Sequence, residues 1–291
     1  MVTVRRVHRR GFLLSLAGGL AALAAGHGAA GLGAGTLDPG GPAARAIRRP
    51  SAHVSLAAAR RPPVFGAGPV QPPRGVVSRL PGPGAHLALT IDDGVNSEVV
   101  AAFIALAERT GIRLTFFPNG RYRSWQDNAA ALRPLVDSGQ IALGNHTWSH
   151  PDVTTLDDRA LTEEIRRNKQ FLWSTYGVET PFFRPPYGAH NARTDAVAAD
   201  LGHPTIALWN GTLGDFTVIS PAQLVAAAGR WFTAGRIVIG HANHRPVTGV
   251  FGELLGLLEE RKLQTVTLAD VWTAPAARPV SAPVTGPAAG R

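Results

Sequence analysis

Apolar residues follow a sustained pattern in one part of this chain only. Between residues 86 and 272, short β-favouring runs alternate with segments whose apolar positions recur three and four apart. The first run, His86-Leu87-Ala88-Leu89-Thr90-Ile91, predicts a strand over 87–91. A helix over 98–109 follows, with Val99, Phe103, Leu106 and Ala107 on one face and Gly111 as its stop. The same reading gives strands over 113–117, 141–144, 181–184, 205–209, 236–239 and 264–267. It gives helices over 128–138, 159–176, 192–201, 222–233 and 251–261. Asp157 and Asp158 suit the start of the long helix, and Ser220 followed by Pro221 suits the start of the fifth. About seven strands alternating with helices predict a parallel α/β fold. Periodicity admits a barrel or an open sheet, and seven or eight such units suit a closed barrel better. Chemistry in such barrels gathers at the C-terminal ends of the strands.

Outside that region the texture changes. Residues 1–85 are rich in Ala, Gly, Pro and Arg, and 273–291 return to Ala, Pro and Arg, whereas all six Trp and all three Tyr lie within 86–272. Four arginines, Arg5, Arg6, Arg9 and Arg10, precede an apolar run from Phe12 to Ala25. This is the layout of an export signal, assigned here to 1–30, and the run is short for a membrane span. Arg9-Arg10-Gly11-Phe12-Leu13 resembles a twin-arginine signal; an ordinary signal or an uncleaved anchor are the alternatives. Residues 31–85 read as a linker and 273–291 as a disordered tail. The expected location is extracellular or in the cell envelope, with the membrane met only transiently through the signal.

Charge divides along the same lines. The formal net charge is +9, yet residues 1–85 hold 11 Arg against the single acid Asp38, while 86–272 hold 16 basic and 19 acidic side chains. The patterned region is therefore mildly acidic, which argues against a nucleic-acid groove on it. With no Cys, thiolate metal sites, thiol nucleophiles and disulfides are excluded. Any metal must be held by His and carboxylate.

Candidate chemistry stands at the predicted strand ends. Asp92 and Asp93 close the first strand, and two adjacent carboxylates at the end of a buried strand repel and resist ionisation. A cation, an Arg, or both must offset that cost. Further strand ends carry His146 and His150, then Arg184 and Tyr187, then Asp215, then His241. His146 and His150 are four apart, so on a helical turn both imidazoles would face one side and share an ion. Asp93 completes a set of two imidazoles and one carboxylate, which leaves a position open for water, as in catalytic sites. Zinc is the first choice for such a site, and cobalt, manganese and nickel are admitted. His190, His203 and His244 read as surface or rim residues. Trp148, Trp209 and Trp231 read as core, which leaves Tyr187 as the one aromatic expected near a substrate.

These motifs, in this order, resemble the NodB-type polysaccharide deacetylases, carbohydrate esterase family 4. Thr90-Ile91-Asp92-Asp93-Gly94 is similar to the family's T-F-D-D-G, with Ile for Phe. His146-Thr147-Trp148-Ser149-His150 matches H-[ST]-x-x-H, and Arg184-Pro185-Pro186-Tyr187-Gly188 matches R-x-P-Y-G. Ile239-Gly240-His241 is similar to L-x-H. The family's D-x-x-D-W is degraded: Thr212-Leu213-Gly214-Asp215-Phe216 keeps only the second Asp. The resemblance implies a distorted (β/α) barrel of seven or eight units over 86–272. It implies that Asp93, His146 and His150 hold the metal and that Asp92 is the base, paired with Arg184. It further implies that His241 is the acid, held by Asp215, and that the Tyr187 N–H receives the oxyanion. The implied activity is removal of N-acetyl groups from an amino sugar polymer such as peptidoglycan or chitin. The rivals are an O-deacetylase of the acetyl xylan esterase kind and a carbohydrate-binding protein of the same fold that has lost turnover. No protein partner is expected beyond the polysaccharide.

Overall fold

The computed structural model describes residues 71–272. The expected signal over 1–30, the linker as far as 70 and the tail over 273–291 lie outside the described residues. Strand β1 (Gly75–Val77) opens the fold, followed by β2 (His86–Asp93), α1 (Ser97–Thr110), β3 (Leu114–Pro118), α2 (Ser124–Asp127), α3 (Ala129–Asp137) and β4 (Ile141–Leu143). Then come α4 (Asp158–Tyr176), β5 (Phe182–Phe183), α5 (Ala192–Asp200), β6 (Thr205–Ala207), β7 (Gly211–Thr212), α6 (Pro221–Trp231), β8 (Arg236–His241), α7 (Phe251–Glu260), β9 (Gln264–Thr265) and α8 (Leu268–Val271).

Strand β2 is the axis of the fold. Seven of its eight residues are buried, the mark of a strand covered on both faces. It pairs in parallel with β3 and β8 along its length and with β9 at its start. One sheet runs in the order β4-β3-β2-β8-β7 and a second in the order β1-β6-β5. A parallel bridge between Asn145, just past β4, and Phe183, at the end of β5, joins the two. On the other side, an antiparallel bridge links Arg79, just past β1, to Arg236 of β8. No strand pairing joins β7 to β1 among the described residues, so the sheet curls into a distorted barrel and not a closed one.

The linker expected over 31–85 extends too far. Strand β1 pairs with β6, and Thr205 Oγ1 donates to the Pro73 carbonyl at 2.7 Å, so this part of the Pro- and Gly-rich segment is built into the barrel. A three-residue strand flanked by Pro and Gly leaves no period to detect. The same holds for β7, two residues long and begun by a glycine that packs against Trp231 and Val238.

The helices follow their sequence signals closely. Asn96 caps α1 by accepting from Glu98 and Val99 N–H, and Gly111 ends it at φ 73°. Asp157 caps α4 and Ser220 caps α6, the latter in a reciprocal box with Gln223. Their apolar faces form the main core against β2, β3 and β8, around Phe103, Phe116, Trp125 and Phe251. This packing fixes the strand ends where the polar residues collect.

Candidate active site

Asp92 and Asp93 end β2, and both are buried. Successive strand side chains ordinarily point to opposite faces. Asp93 departs from this, with φ at 65°, in the left-handed region. That conformation is held from several sides. Trp125 Nε1–H donates to the Asp93 carbonyl at 2.8 Å and Asn119 N–H at 3.2 Å, while the Ser124 hydroxyl bonds the Gly94 carbonyl. The break in alternation brings both carboxylates toward one imidazole. His146 Nε2 is 3.2 Å from Asp93 Oδ1 and 3.7 Å from Asp92 Oδ2.

The helical turn expected for His146 and His150 is absent. Residues 146–150 form a loop in which Thr147 and His150 both have φ of 65°. Local hydrogen bonds shape it: Thr147 N–H donates to Asn145 Oδ1, His150 N–H to Thr147 Oγ1, and Ser149 is tied to Glu164 through both N–H and hydroxyl. The two rings nevertheless meet, with centroids 4.9 Å apart, and His150 Nε2 also lies 3.2 Å from Asp93 Oδ1. Asp93, His146 and His150 each offer a ligand atom within 4.8 Å of the others.

These residues suit a divalent cation. His146 Nδ1 lies 2.6 Å from the Arg184 carbonyl, which can only accept. The proton therefore sits on Nδ1, and the Nε2 lone pair faces Asp93 Oδ1. That oxygen is buried and has no hydrogen-bond donor. Burial raises the Asp93 pKa, but the neighbouring imidazoles, His146 first and then His150 and His241, outweigh it and hold the carboxyl well below its usual range. The His150 imidazole is pushed down, by burial first and then by His146, so a proton there is a poor substitute for a metal. An anionic oxygen facing two imidazole nitrogens is the donor set of a site with two His and one carboxylate.

Arg184 is fully buried beneath Asp92. It donates to Asp92 Oδ1 and to Thr90 Oγ1, each at 2.7 Å, and to the Ala207 carbonyl at 2.8 Å. Phe117 lies against one part of the guanidinium at 4.1 Å and Trp209 at 5.5 Å. Burial lowers its pKa, and Asp92 opposes that shift. The contact makes Arg184 the counter-charge that the carboxylate pair needed.

On the other side, Asp215 receives two bonds from His241, one from its N–H and one from Nδ1, both at 3.0 Å. Nε2 is left for the mouth of the site. Burial is the largest influence on this imidazole and lowers its pKa. The Asp215 hydrogen bond and the charges of Asp92, Asp215 and Asp93 outweigh it, so the group stands above its ordinary value. Thr212 Oγ1 accepts from Gly214 N–H at 2.9 Å.

Tyr187 is 71% exposed at φ 61°, and its ring meets that of His150 at 4.6 Å. The bonds closing its turn run from Gly188 and Ala189 N–H to the Pro185 and Pro186 carbonyls, which leaves the Tyr187 N–H outside them. Gly188 packs so near Trp209 that a Cβ there would lie 3.1 Å from the indole.

Two sequence expectations need correction. Tyr187 is not the one aromatic at the mouth, because Phe216 is 66% exposed with its ring 6.4 Å from His241. His203 is not a rim residue. It is 1% exposed, donates through Nδ1 to the Thr180 carbonyl at 2.7 Å and accepts from Asn145 Nδ2 at 3.0 Å. His190, at the rim as expected, pairs with Asp195. Asn243 was passed over in the sequence although it donates to Asp93 Oδ2 at 2.6 Å; its position two residues after His241, past a strand end, was the available signal.

Comparison with known proteins agrees with this arrangement. Residues 79–206 match the family model described as polysaccharide deacetylase. A peptidoglycan-N-acetylglucosamine deacetylase of Listeria monocytogenes is 26% identical over 187 residues, which cover 64% of this chain and 39% of that protein. A chitin deacetylase of Pestalotiopsis is 32% identical over 119 residues, 41% of this chain and 40% of that one. The chain thus spans about two-fifths of the length of these curated relatives. Among solved structures, a family 4 carbohydrate esterase of Streptomyces lividans, in complex with acetate, shares 26% identity with a TM-score of 0.58, covering 66% of this chain and 99% of that one. Asp215 and His241 lie past the segment matched by the family model, and their pairing rests on the geometry above. The first three motifs, the distorted barrel and these matches converge: residues 79–206 match the polysaccharide deacetylase family model, and the fold is similar to that of a family 4 carbohydrate esterase.

Proposed function

We propose that the chain is a metal-dependent hydrolase that removes N-acetyl groups from an amino sugar polymer, peptidoglycan or chitin-like N-acetylglucosamine. The observation carrying this reading is the donorless Asp93 Oδ1 facing two imidazoles, with an Arg-held carboxylate and a carboxylate-held imidazole nearby. Asp93, His146 and His150 would hold the metal, zinc first, and a divalent cation there would polarise the acetyl carbonyl and acidify a water.

The chain's own residues perform the proton transfers. Asp92, kept ionised and aimed by Arg184, takes a proton from the attacking water as the new C–O bond forms at the carbonyl carbon. The Tyr187 N–H donates to the oxygen that becomes negative. As the C–N bond breaks, His241 Nε2–H gives its proton to the departing amine, and Asp215 holds the imidazole in the required tautomer. The products are acetate and a free amino sugar. Burial beneath the mouth favours both transfers, because charges near Asp92 and His241 are screened less there than in water.

Two partly exposed flanks, Tyr187 and Phe216, suit sugar rings, whose apolar faces pack on aromatics. Action on a wall or extracellular polymer accords with the export signal expected over 1–30. The deciding experiment is acetate release from N-acetylglucosamine oligomers, peptidoglycan and acetylated xylan, each with and without chelator. Chelator-sensitive release from the amino sugars is expected. Release confined to xylan would make the chain an O-deacetylase, and binding without release would make it a carbohydrate-binding protein.

A further inference from the structure

Asp93 has two carboxylate oxygens in different circumstances. Oδ1 faces His146 and His150 and has no donor. Oδ2 accepts from Asn243 Nδ2 at 2.6 Å. The orientation of that amide is fixed by its other end: Asn243 Oδ1 lies 3.1 Å from Val95 N–H, which can only donate. The Asn243 NH2 must therefore be the group turned toward Asp93.

The backbone bearing Asn243 is itself anchored. His241 N–H donates to Asp215, Ala242 N–H to the Asp92 carbonyl, and Asn96 N–H to the Ala242 carbonyl. Val95 lies two residues beyond Asp93, so Asn243 clamps the strand-end turn by its main chain at one place and its carboxylate at another. A carboxylate's final torsion is otherwise broad, and either oxygen could swing toward the imidazoles.

We propose that Asn243 is a positioning residue that selects Oδ1 of Asp93 as the metal-binding oxygen and holds it in place. This rests on the reading of Asp93, His146 and His150 as a metal site. The effect of Asn243 passes through the ligand Asp93, as is common for groups behind a metal's first ligands.

The test compares metal-depleted parent, Asn243→Ala and Asn243→Leu, the latter close to Asn in bulk. Zinc affinity is read by competition with a chromophoric chelator, and coordination by the visible absorption of the cobalt-loaded protein. Both variants are expected to melt within a few degrees of the parent when metal-free, to bind zinc about 10–100-fold more weakly and to show a shifted cobalt spectrum. Zinc affinity within twofold of the parent, with an unchanged spectrum, overturns the proposal while leaving the metal site intact. So does a loss of metal-free stability large enough to account for any weakening, since Asn243 would then act on the fold alone. A parent that takes up neither metal overturns the metal reading itself, and this inference with it.

Discussion

Replacing Arg184 by Met tests the electrostatics beneath the site most severely. The guanidinium is fully buried and donates to Asp92, Thr90 and the Ala207 and Leu208 carbonyls, so removal strands one carboxylate and frees three neutral acceptors. Breaking a buried ion pair from one side costs about 3–5 kcal/mol. For a domain of this size that is a fall in Tm of roughly 6–20 °C. Asp92→Asn breaks the same pair from the other side, but Asn keeps an oxygen for Arg184 and no longer repels Asp93, so its cost falls at the lower end, about 3 kcal/mol. The double variant should lose less than the two single losses combined, with a coupling of about 1–3 kcal/mol, because it removes both charges together. Urea denaturation of the four proteins, in chelator so that metal binding does not shift the equilibria, measures each value. An Arg184→Met loss under about 1 kcal/mol, or a coupling of zero, would refute the view that these groups exist as a mutually dependent buried pair.

Three further outcomes are expected. Burial holds the His203 pKa down at about 4 against 6.5, so the unfolded chain binds more protons between these values; stability is fully present above pH 6.5 and lost toward pH 4, by about 3 kcal/mol. Denaturation of parent and His203→Gln at pH 7 and pH 4 should show that slope only in the parent, and equal slopes would contradict it. His241 must be protonated to act as an acid, and its raised pKa keeps it so to higher pH; activity falls as pH rises through that value, and Asp215→Asn should move this alkaline limb to lower pH, while an unmoved limb in the pH–rate profile argues against the pairing. Gly94 sits at φ 88° against the Trp125 indole, so Gly94→Ala should cost about 2–5 kcal/mol in urea denaturation from backbone strain and displacement of the ring; a cost below about 1 kcal/mol would show that the turn yields easily.

The longer elements were legible in the sequence because their signals are local. Asn96, Asp157 and Ser220 cap the helices they precede, and the β2 run is continuous because both its faces are covered. Strands β1 and β7 were hidden because two or three residues carry no period, and their pairing partners lie more than 20 residues away. The site residues were legible as types at strand ends. Their means of assembly was not: the spacing of His146 and His150 suggested a helical turn, whereas side-chain bonds from Asn145, Thr147 and Glu164 shape a loop to the same end. His203 was misplaced because a lone histidine carries no sign of its partners, and the Thr180 carbonyl and Asn145 that satisfy it come from distant segments.

The division of labour between two adjacent carboxylates is the central claim, Asp93 as metal ligand and Asp92 as base. Its most direct test measures metal content and acetate release together, for the parent and Asp92→Asn, on N-acetylglucosamine oligomers. Asp92→Asn is expected to keep one divalent metal per chain while acetate release falls about 10²-fold or more. Unchanged acetate release from the metal-loaded variant would contradict the assignment.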